Sequence, residues 1–124
     1  MSRAGAADWS RLAPPELRQT LAFEAAFDDA ELRMISQGVI PRAMEDKWFI
    51  YLDTDDWLYF HRSWTGACIY AMQLLRTGEG ARVGSAWVNR DPAQYGLADD
   101  DFDLRLLRFL IDRLLLGREA VFPH

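Results

Sequence analysis

Hydrophobic and polar positions follow two different rhythms along this chain, and the change of rhythm divides it into blocks. In the first block apolar residues recur at uneven helical spacing, with Pro15 suited to a first helical turn and Gly38 to a helix end. An acidic pair beginning at Asp28 interrupts the pattern in the manner of a new helix cap. We therefore expect two N-terminal helices, over about residues 15–27 and 29–37.

The centre of the chain has the composition of β-strands. Residues 47–52 and 57–63 are rich in aromatic and β-branched side chains, and acidic turn-forming residues separate them, so they predict a β-hairpin. Residues 82–89 predict a further strand. Residues 67–75 are open between two interpretations, because their Ala, Met and Leu content favours a helix while the short gap after the hairpin favours a third strand.

The clearest predicted element is a C-terminal helix over residues 101–116. Aspartates crowd its amino end, where negative charge suits the helix dipole, and leucines then recur at helical spacing up to a glycine stop. The sequence thus predicts an α+β fold, in which an antiparallel sheet of about four strands packs with N-terminal helices and this C-terminal helix. We expect a single domain over residues 14–117, a loose leader at 1–13 and a tail at 118–124.

Composition narrows the classes of function. The chain has 124 residues, half of them hydrophobic, which is enough for a core without disulfide or metal support. Its net charge of −5 argues against general nucleic-acid binding, which requires a basic surface. The single cysteine, Cys68, fits a reducing compartment, and no apolar stretch approaches the length of a transmembrane helix. We therefore expect a cytoplasmic protein that does not bind membranes.

No metal or cofactor is expected from the sequence. Its two histidines are far apart, and no CxxC pair accompanies them, so no metal-ligand spacing is present. The usual phosphate-loop, dinucleotide-binding and nucleophile-elbow motifs are also missing. Any binding site must therefore be built from residues outside these signatures.

Candidate functional residues concentrate in the aromatic and basic segment from Lys47 to Gly66. Side chains alternate between the two faces of a strand, so His61 and Arg62 are predicted to point to opposite sides unless a bulge re-aims one of them. An even hairpin loop would place Lys47 on the face of Arg62, and an odd loop would place it on the face of His61. The sequence leaves this register open.

Arg62 admits two interpretations. In the first, it pairs with a carboxylate such as Glu45, Asp46 or an acid of the last helix, and only holds the fold. In the second, it lies at the edge of a pocket for an anion or a nucleotide, where arginine supplies a fork of donors and tryptophan a stacking face. The residues of that predicted pocket are Lys47, Arg62, Ser63 and Trp64.

Asn89 and Arg90 are further candidates for ligand binding. They lie where the last predicted strand gives way to a loop, a common position for functional polar residues, although Asn89 is equally suited to capping a turn. His61 is the candidate for proton transfer, because an imidazole titrates near neutral pH; the alternative is a structural, hydrogen-bonded histidine. No complete set of catalytic residues is recognised.

Three motifs carry a resemblance to a known family. The chain contains E-D-K-W-F, then L-Y-F-H-R-S-W-T-G, then W-V-N-R-D-P, and in these segments it resembles a family of small uncharacterised bacterial proteins. The likeness covers roughly residues 28–117, and it departs from the family pattern at residues 67–75. Similar segments sometimes accompany ADP-ribose-processing domains, so the resemblance implies a link to ADP-ribose or NAD metabolism.

Together these observations favour a small non-catalytic binding module that recognises an anionic or nucleotide-like ligand, or a protein partner, through the hairpin. One alternative is an enzyme acting on a phosphorylated or ADP-ribosyl substrate, with His61 as acid or base and Lys47 and Arg62 as the anion clamp. Another is an immunity or antitoxin-type interaction protein, with which the acidic balance and small size are compatible although no local motif supports it. Oligomeric state is not predicted.

Overall fold

The computed structural model describes residues 3–123, and this part of the chain forms six strands and two α-helices. A short 3-10 turn at Ala6–Asp8 precedes them, and a π-helical turn at Ile111–Leu115 extends the second helix. The elements in chain order are β1 (Arg18–Thr20), β2 (Ala26–Asp28), α1 (Asp29–Gln37), β3 (Trp48–Leu52), β4 (Trp57–Arg62), β5 (Cys68–Arg76), β6 (Gly80–Asn89) and α2 (Asp100–Leu110).

The strands form one open antiparallel sheet. β3, β4, β5 and β6 lie side by side in chain order, each joined to the next by a short turn. β6 is ten residues long, so its outer edge holds two short strands, with β1 along its carboxyl end and β2 along its amino end. Pairing with β1 and β2 satisfies backbone groups that would otherwise be exposed along that edge.

The α+β class with an antiparallel sheet is confirmed, but the predictions of about four strands and of a helix over 15–27 are wrong. β1 and most of β2 lie in that segment, and its buried aliphatic and aromatic residues, Leu21, Phe23 and Phe27, are two and four positions apart. Those spacings are multiples of the strand period of two, and the long β6 edge supplies the pairing partner, so tertiary pairing overrides the helical propensity.

The other predicted elements correspond closely to the structure. The expected helix over 29–37 is α1, whose amino end is capped by a reciprocal pair of hydrogen bonds between Asp28 and Glu31. The open segment 67–75 is a strand, β5, because pairing on both sides decides against its helix-favouring composition. The C-terminal helix is α2 with its π-helical extension.

The core lies between one face of the sheet and α2. Ile50, Phe60 and Met72 on the sheet are fully buried, as are Leu107 and Ile111 on the helical side. The opposite face of the sheet carries a smaller aromatic cluster. The chain near the N-terminus covers part of that second face, and its backbone is hydrogen-bonded to both α1 and the turn after β4.

Two limits of the described chain bear on the predictions. Residues 1 and 2 of the predicted leader and residue 124 of the predicted tail lie outside the described residues. Between residues 3 and 123, no helix has the length and apolarity needed to cross a membrane.

Candidate functional site

The turn between β4 and β5 positions the centre of the predicted site. Gly66 closes the turn by donating its N–H to Arg62 O over 2.8 Å, and its φ of +80° lies in the left-handed region that favours glycine. A Cβ at this position would lie 3.2 Å from Arg11 Cα, so any side chain here would also press on the neighbouring backbone. Trp64 and Thr65 are consequently presented to solvent at the tip.

Buried hydrogen bonds hold this turn in place. The Gly66 carbonyl accepts from His61 Nδ1 over 2.8 Å and from the Leu12 backbone N–H over 2.9 Å. Trp9 donates its indole N–H to Ser63 O over 2.9 Å. The turn therefore has fixed contacts with both its own strand and the N-terminal segment. These contacts hold the backbone that carries the side chains at its tip.

A cavity of about 380 Å³ lies beside the turn, and we call it the cationic cavity. Its lining residues are Lys47, Arg62, Trp64, Thr65 and Gln94. Lys47 Nζ lies 4.1 Å from the centroid of the Trp64 ring, and Arg62 Cζ lies 5.0 Å from the centroid of the Trp48 ring. Three of the residues predicted from the sequence, Lys47, Arg62 and Trp64, are thus brought together around one space.

Neither cation of this cavity has an acidic partner in the described part of the chain. Among residues 3–123, no carboxylate lies within 4.0 Å of Lys47 Nζ or of the Arg62 guanidinium, and neither side chain donates a hydrogen bond to the protein. The Asp46 carboxylate instead accepts from the backbone N–H groups of Arg42 and Ala43. The interpretation in which Arg62 pairs with a carboxylate is therefore wrong for the described part of the chain.

Ser63 does not line the cationic cavity. It is buried, and its Oγ donates to Asp46 O over 2.6 Å, while its backbone N–H donates to Lys47 O over 2.8 Å. These two bonds tie the segment before β3 to the turn after β4. Ser63 thereby fixes the position of Lys47 relative to Trp64 rather than contacting the space between them.

Asn89 lies outside the cavity lining but orients a residue within it. Its Oδ1 accepts from the Asp91 N–H over 2.8 Å, so its amide nitrogen faces Cys68 O at 2.9 Å and Gln94 Oε1 at 2.8 Å. Gln94 must then direct its oxygen toward Asn89, which leaves the Gln94 Nε2 group without a partner among the described residues. That group is available to donate into the cationic cavity.

Arg90 also lies outside the cavity, in a buried network that holds the loop of residues 90–99. Its guanidinium pairs with Asp103 Oδ2 at 2.7 Å and with Asp100. The hydroxyls of Tyr70 and Tyr95 donate to Asp103 Oδ1 over 2.6 and 2.7 Å. Burial raises the pKa of both phenols, that of Tyr95 to about 12, so both remain donors across the physiological range.

His61 lies on the opposite face of the sheet from Arg62, as the strand period predicted. Its ring is buried and stacks on the ring of Tyr51 with a centroid distance of 5.8 Å, whereas Arg62 lies over Trp48 on the face that α2 covers. Burial lowers the pKa of the imidazole, which favours the neutral ring. His61 is not among the residues lining the cationic cavity.

The hairpin register explains how Lys47 reaches the cavity. β3 and β4 pair Trp48 with Arg62 and Phe49 with His61, which is the odd-loop register. Lys47 precedes the first paired residue of β3, so strand alternation does not decide its direction, and its ammonium group lies over Trp64. Sequence reasoning missed Gln94 and Trp48. Local residue spacing does not show that the loop of residues 90–99 approaches the cavity, nor where the buried ring of Trp48 lies.

Comparisons with protein-family models, with curated proteins and with solved structures gave no match. Within residues 3–123, no group of three or more His, Cys, Asp or Glu side chains is placed to hold a metal ion.

Proposed function

We propose that this protein is a small binding module for an anionic, nucleotide-like ligand, which occupies the cationic cavity. The observation that carries the proposal is that Lys47 and Arg62 line one cavity and lie over aromatic rings, with no carboxylate partner among the described residues. Arg62 is partly withdrawn from water, where a cation is normally paired, whereas Lys47 is exposed. A phosphate or carboxylate of the ligand would supply that missing partner.

The chemistry of the lining supports a phosphate in particular. Arg62 offers a planar fork of donors that matches two phosphate oxygens, and Lys47 adds a mobile point charge. Thr65 and Gln94 contribute neutral polar groups to the same space. A cavity of about 380 Å³ is at the lower end of the range for small-molecule sites, which suits a compact ligand or one part of a larger one.

Catalysis is not part of the proposal. His61, the candidate for proton transfer, is buried and bonded through Nδ1 to the Gly66 carbonyl, on the face of the sheet away from Arg62. The enzyme alternative would need another acid or base close to the ligand. We place the binding function in the cytoplasm, which the single unpaired Cys68 favours.

The test is calorimetric titration and thermal unfolding of the purified chain with phosphate, pyrophosphate, AMP, ADP, ADP-ribose and NAD. Arg62→Gln removes the charge, and Arg113→Gln is the matched control, because Arg113 is exposed and lines neither the cationic cavity nor the turn. A charge-assisted contact contributes roughly 1.5–3 kcal/mol, so the first variant should weaken binding about 10- to 100-fold and the control should not.

A protein partner is the second candidate function. Met44 and Trp64 are 73% and 65% exposed, and they border a groove of about 580 Å³ on the side of Trp64 away from Arg62. Exposed tryptophan and methionine side chains are typical of interfaces. If none of the anions bound while Met44→Ser abolished association with a co-purifying protein, the second candidate would replace the first.

A further inference from the structure

A second cavity lies on the other side of Arg62, and we call it the apolar cavity. It has a volume of about 340 Å³ and is bounded by the start of β3, the end of β4, the loop of residues 90–99 and the start of α2. Arg62 is the one charged residue among the described residues that line it. Its apolar lining includes Trp48, Tyr95, Leu97, Phe102 and Leu106.

Arg62 is shared by the cationic and the apolar cavity, so a ligand held by its guanidinium has access to both. The guanidinium lies over the ring of Trp48, with its Cζ 5.0 Å from the ring centroid. An anion bound to Arg62 is thus next to an aromatic surface. A group attached to that anion therefore starts beside the apolar cavity.

The walls of the apolar cavity are held before any ligand arrives. Tyr95 donates its hydroxyl to Asp103 over 2.7 Å, which fixes the loop of residues 90–99 against α2. Trp48 is buried and stacked on Tyr70 with a centroid distance of 6.1 Å and an interplanar angle of 17°. Walls fixed in this way reduce the ordering cost of binding, and the rings of Trp48, Tyr95 and Phe102 in the lining favour an aromatic guest.

The other neighbour of the cationic cavity is less suited to a planar group attached to the anion. Trp64 lines both the cationic cavity and the groove bordered by Met44, and Lys47 Nζ lies 4.1 Å from the centroid of the Trp64 ring. Arg62 does not line that groove. A ligand centred on Arg62 therefore borders the apolar cavity and not the groove.

We infer that the ligand is an aryl-bearing anion of the nucleoside phosphate type, with its phosphate against Arg62 and Lys47 and its planar ring in the apolar cavity. This inference rests on the proposed function and adds the class of ligand and the place of its ring. Simple anions such as inorganic phosphate fill only the cationic half of the site.

The experiment compares methyl phosphate, phenyl phosphate and AMP by calorimetric titration. The first two ligands share the same anion and differ in the planar group alone. Leu97→Gln makes the wall of the apolar cavity polar. Leu114→Gln is the matched control, because the two leucines are 39% and 38% exposed and Leu114 lines neither cavity of the site.

The wild-type chain should bind phenyl phosphate and AMP at least about tenfold more tightly than methyl phosphate, a difference equivalent to about 1.4 kcal/mol. Leu97→Gln should reduce that ratio about threefold or more while leaving methyl phosphate affinity unchanged, since it removes apolar contact with the ring. Leu114→Gln should leave the ratio unchanged.

Equal affinity of the wild-type chain for methyl and phenyl phosphate would overturn the inference and leave the proposed function intact. An equal fall of the ratio in Leu97→Gln and Leu114→Gln would also overturn it, because the preference would then not depend on the apolar cavity. If none of the three ligands bound, the proposed function would fail together with the inference.

Discussion

The carboxylate of Asp103 links three parts of the structure, and its removal should be among the most destabilising changes of a single polar group. It is fully buried on α2, where it accepts from Tyr70 on β5, from Tyr95 in the loop of residues 90–99, and from Arg90 at the end of β6. Asp103→Asn keeps the shape of the side chain and removes its charge. The variant therefore isolates the electrostatic part of the link.

The size of the effect follows from these contacts. Removing one partner of a buried ion pair costs about 3–5 kcal/mol when the other charge is left uncompensated. Arg90 keeps its contact with Asp100, which is 45% exposed, and the new amide can still accept from one tyrosine, so we expect a loss of about 2–4 kcal/mol. For a chain of 124 residues this lowers Tm by about 8–15 °C.

Urea unfolding followed by tryptophan fluorescence, with thermal unfolding beside it, measures this loss. Asp101→Asn is the matched control, since Asp101 lies in the same helical turn, is 85% exposed and has its nearest cation, Arg105, at 3.6 Å. The control should shift Tm by no more than about 2 °C. If Asp103→Asn cost no more than Asp101→Asn, the buried network would not hold the loop and α2 to the sheet.

Three further predictions concern the turn and the second face of the sheet. Burial lowers the pKa of His61 from 6.5, so its neutral ring contributes stability above about pH 6.5 that is lost as the pH falls toward the folded pKa. The unfolding free energy measured between about pH 7 and 5 should therefore fall more steeply in the wild-type chain than in His61→Phe. Burial raises the pKa of the Cys68 thiol to about 12, so the folded chain should resist a thiol reagent at about pH 8 and react once unfolded, whereas fast reaction of the folded chain would show that β5 opens. Gly66→Ala forces a left-handed residue against the Arg11 backbone and should cost at least about 1 kcal/mol in urea unfolding, while Gly78→Ala, which meets no atom within 4 Å, should cost less.

Local sequence patterns predicted correctly those helices and strands whose turn residues, cap residues and apolar spacing agree with their contacts in the fold. The hairpin of β3 and β4, the capped α1 and the acidic start of α2 all have turn or cap residues that agree with their apolar spacing. The segment before α1 failed this test because its helical propensity conflicts with the strand-like spacing of Leu21 and Phe23. The ten-residue edge of β6, which lies far along the chain, decided that conflict.

The residues of the candidate site likewise divide into those that local sequence could group and those that distant contacts bring to the site. Lys47, Arg62 and Trp64 stand close together in sequence across one hairpin and could be grouped from it. Gln94 and the aromatic wall of the apolar cavity come from the 90–99 loop and α2, whose approach depends on the buried pairing of Arg90 with Asp103. Arg90 was predicted to contact a ligand because a sequence does not distinguish an arginine that holds a loop from one that binds an anion. The distinction requires the position of the acidic partner.

The account of the site depends on Arg62 being open to an anion, and a nuclear magnetic resonance titration with ADP addresses that point. The indole N–H of Trp64 donates to Met44 O over 3.0 Å and lies on the side chain that borders Lys47, so it reports on the cationic cavity. We predict a saturable shift of the Trp64 indole resonance in the wild-type chain, little shift for Trp57 and Trp87, and weakening of about 10- to 100-fold in Arg62→Gln. An unchanged Trp64 resonance up to about 10 mM ADP, or equal affinity in Arg62→Gln, would contradict an anion site at Arg62.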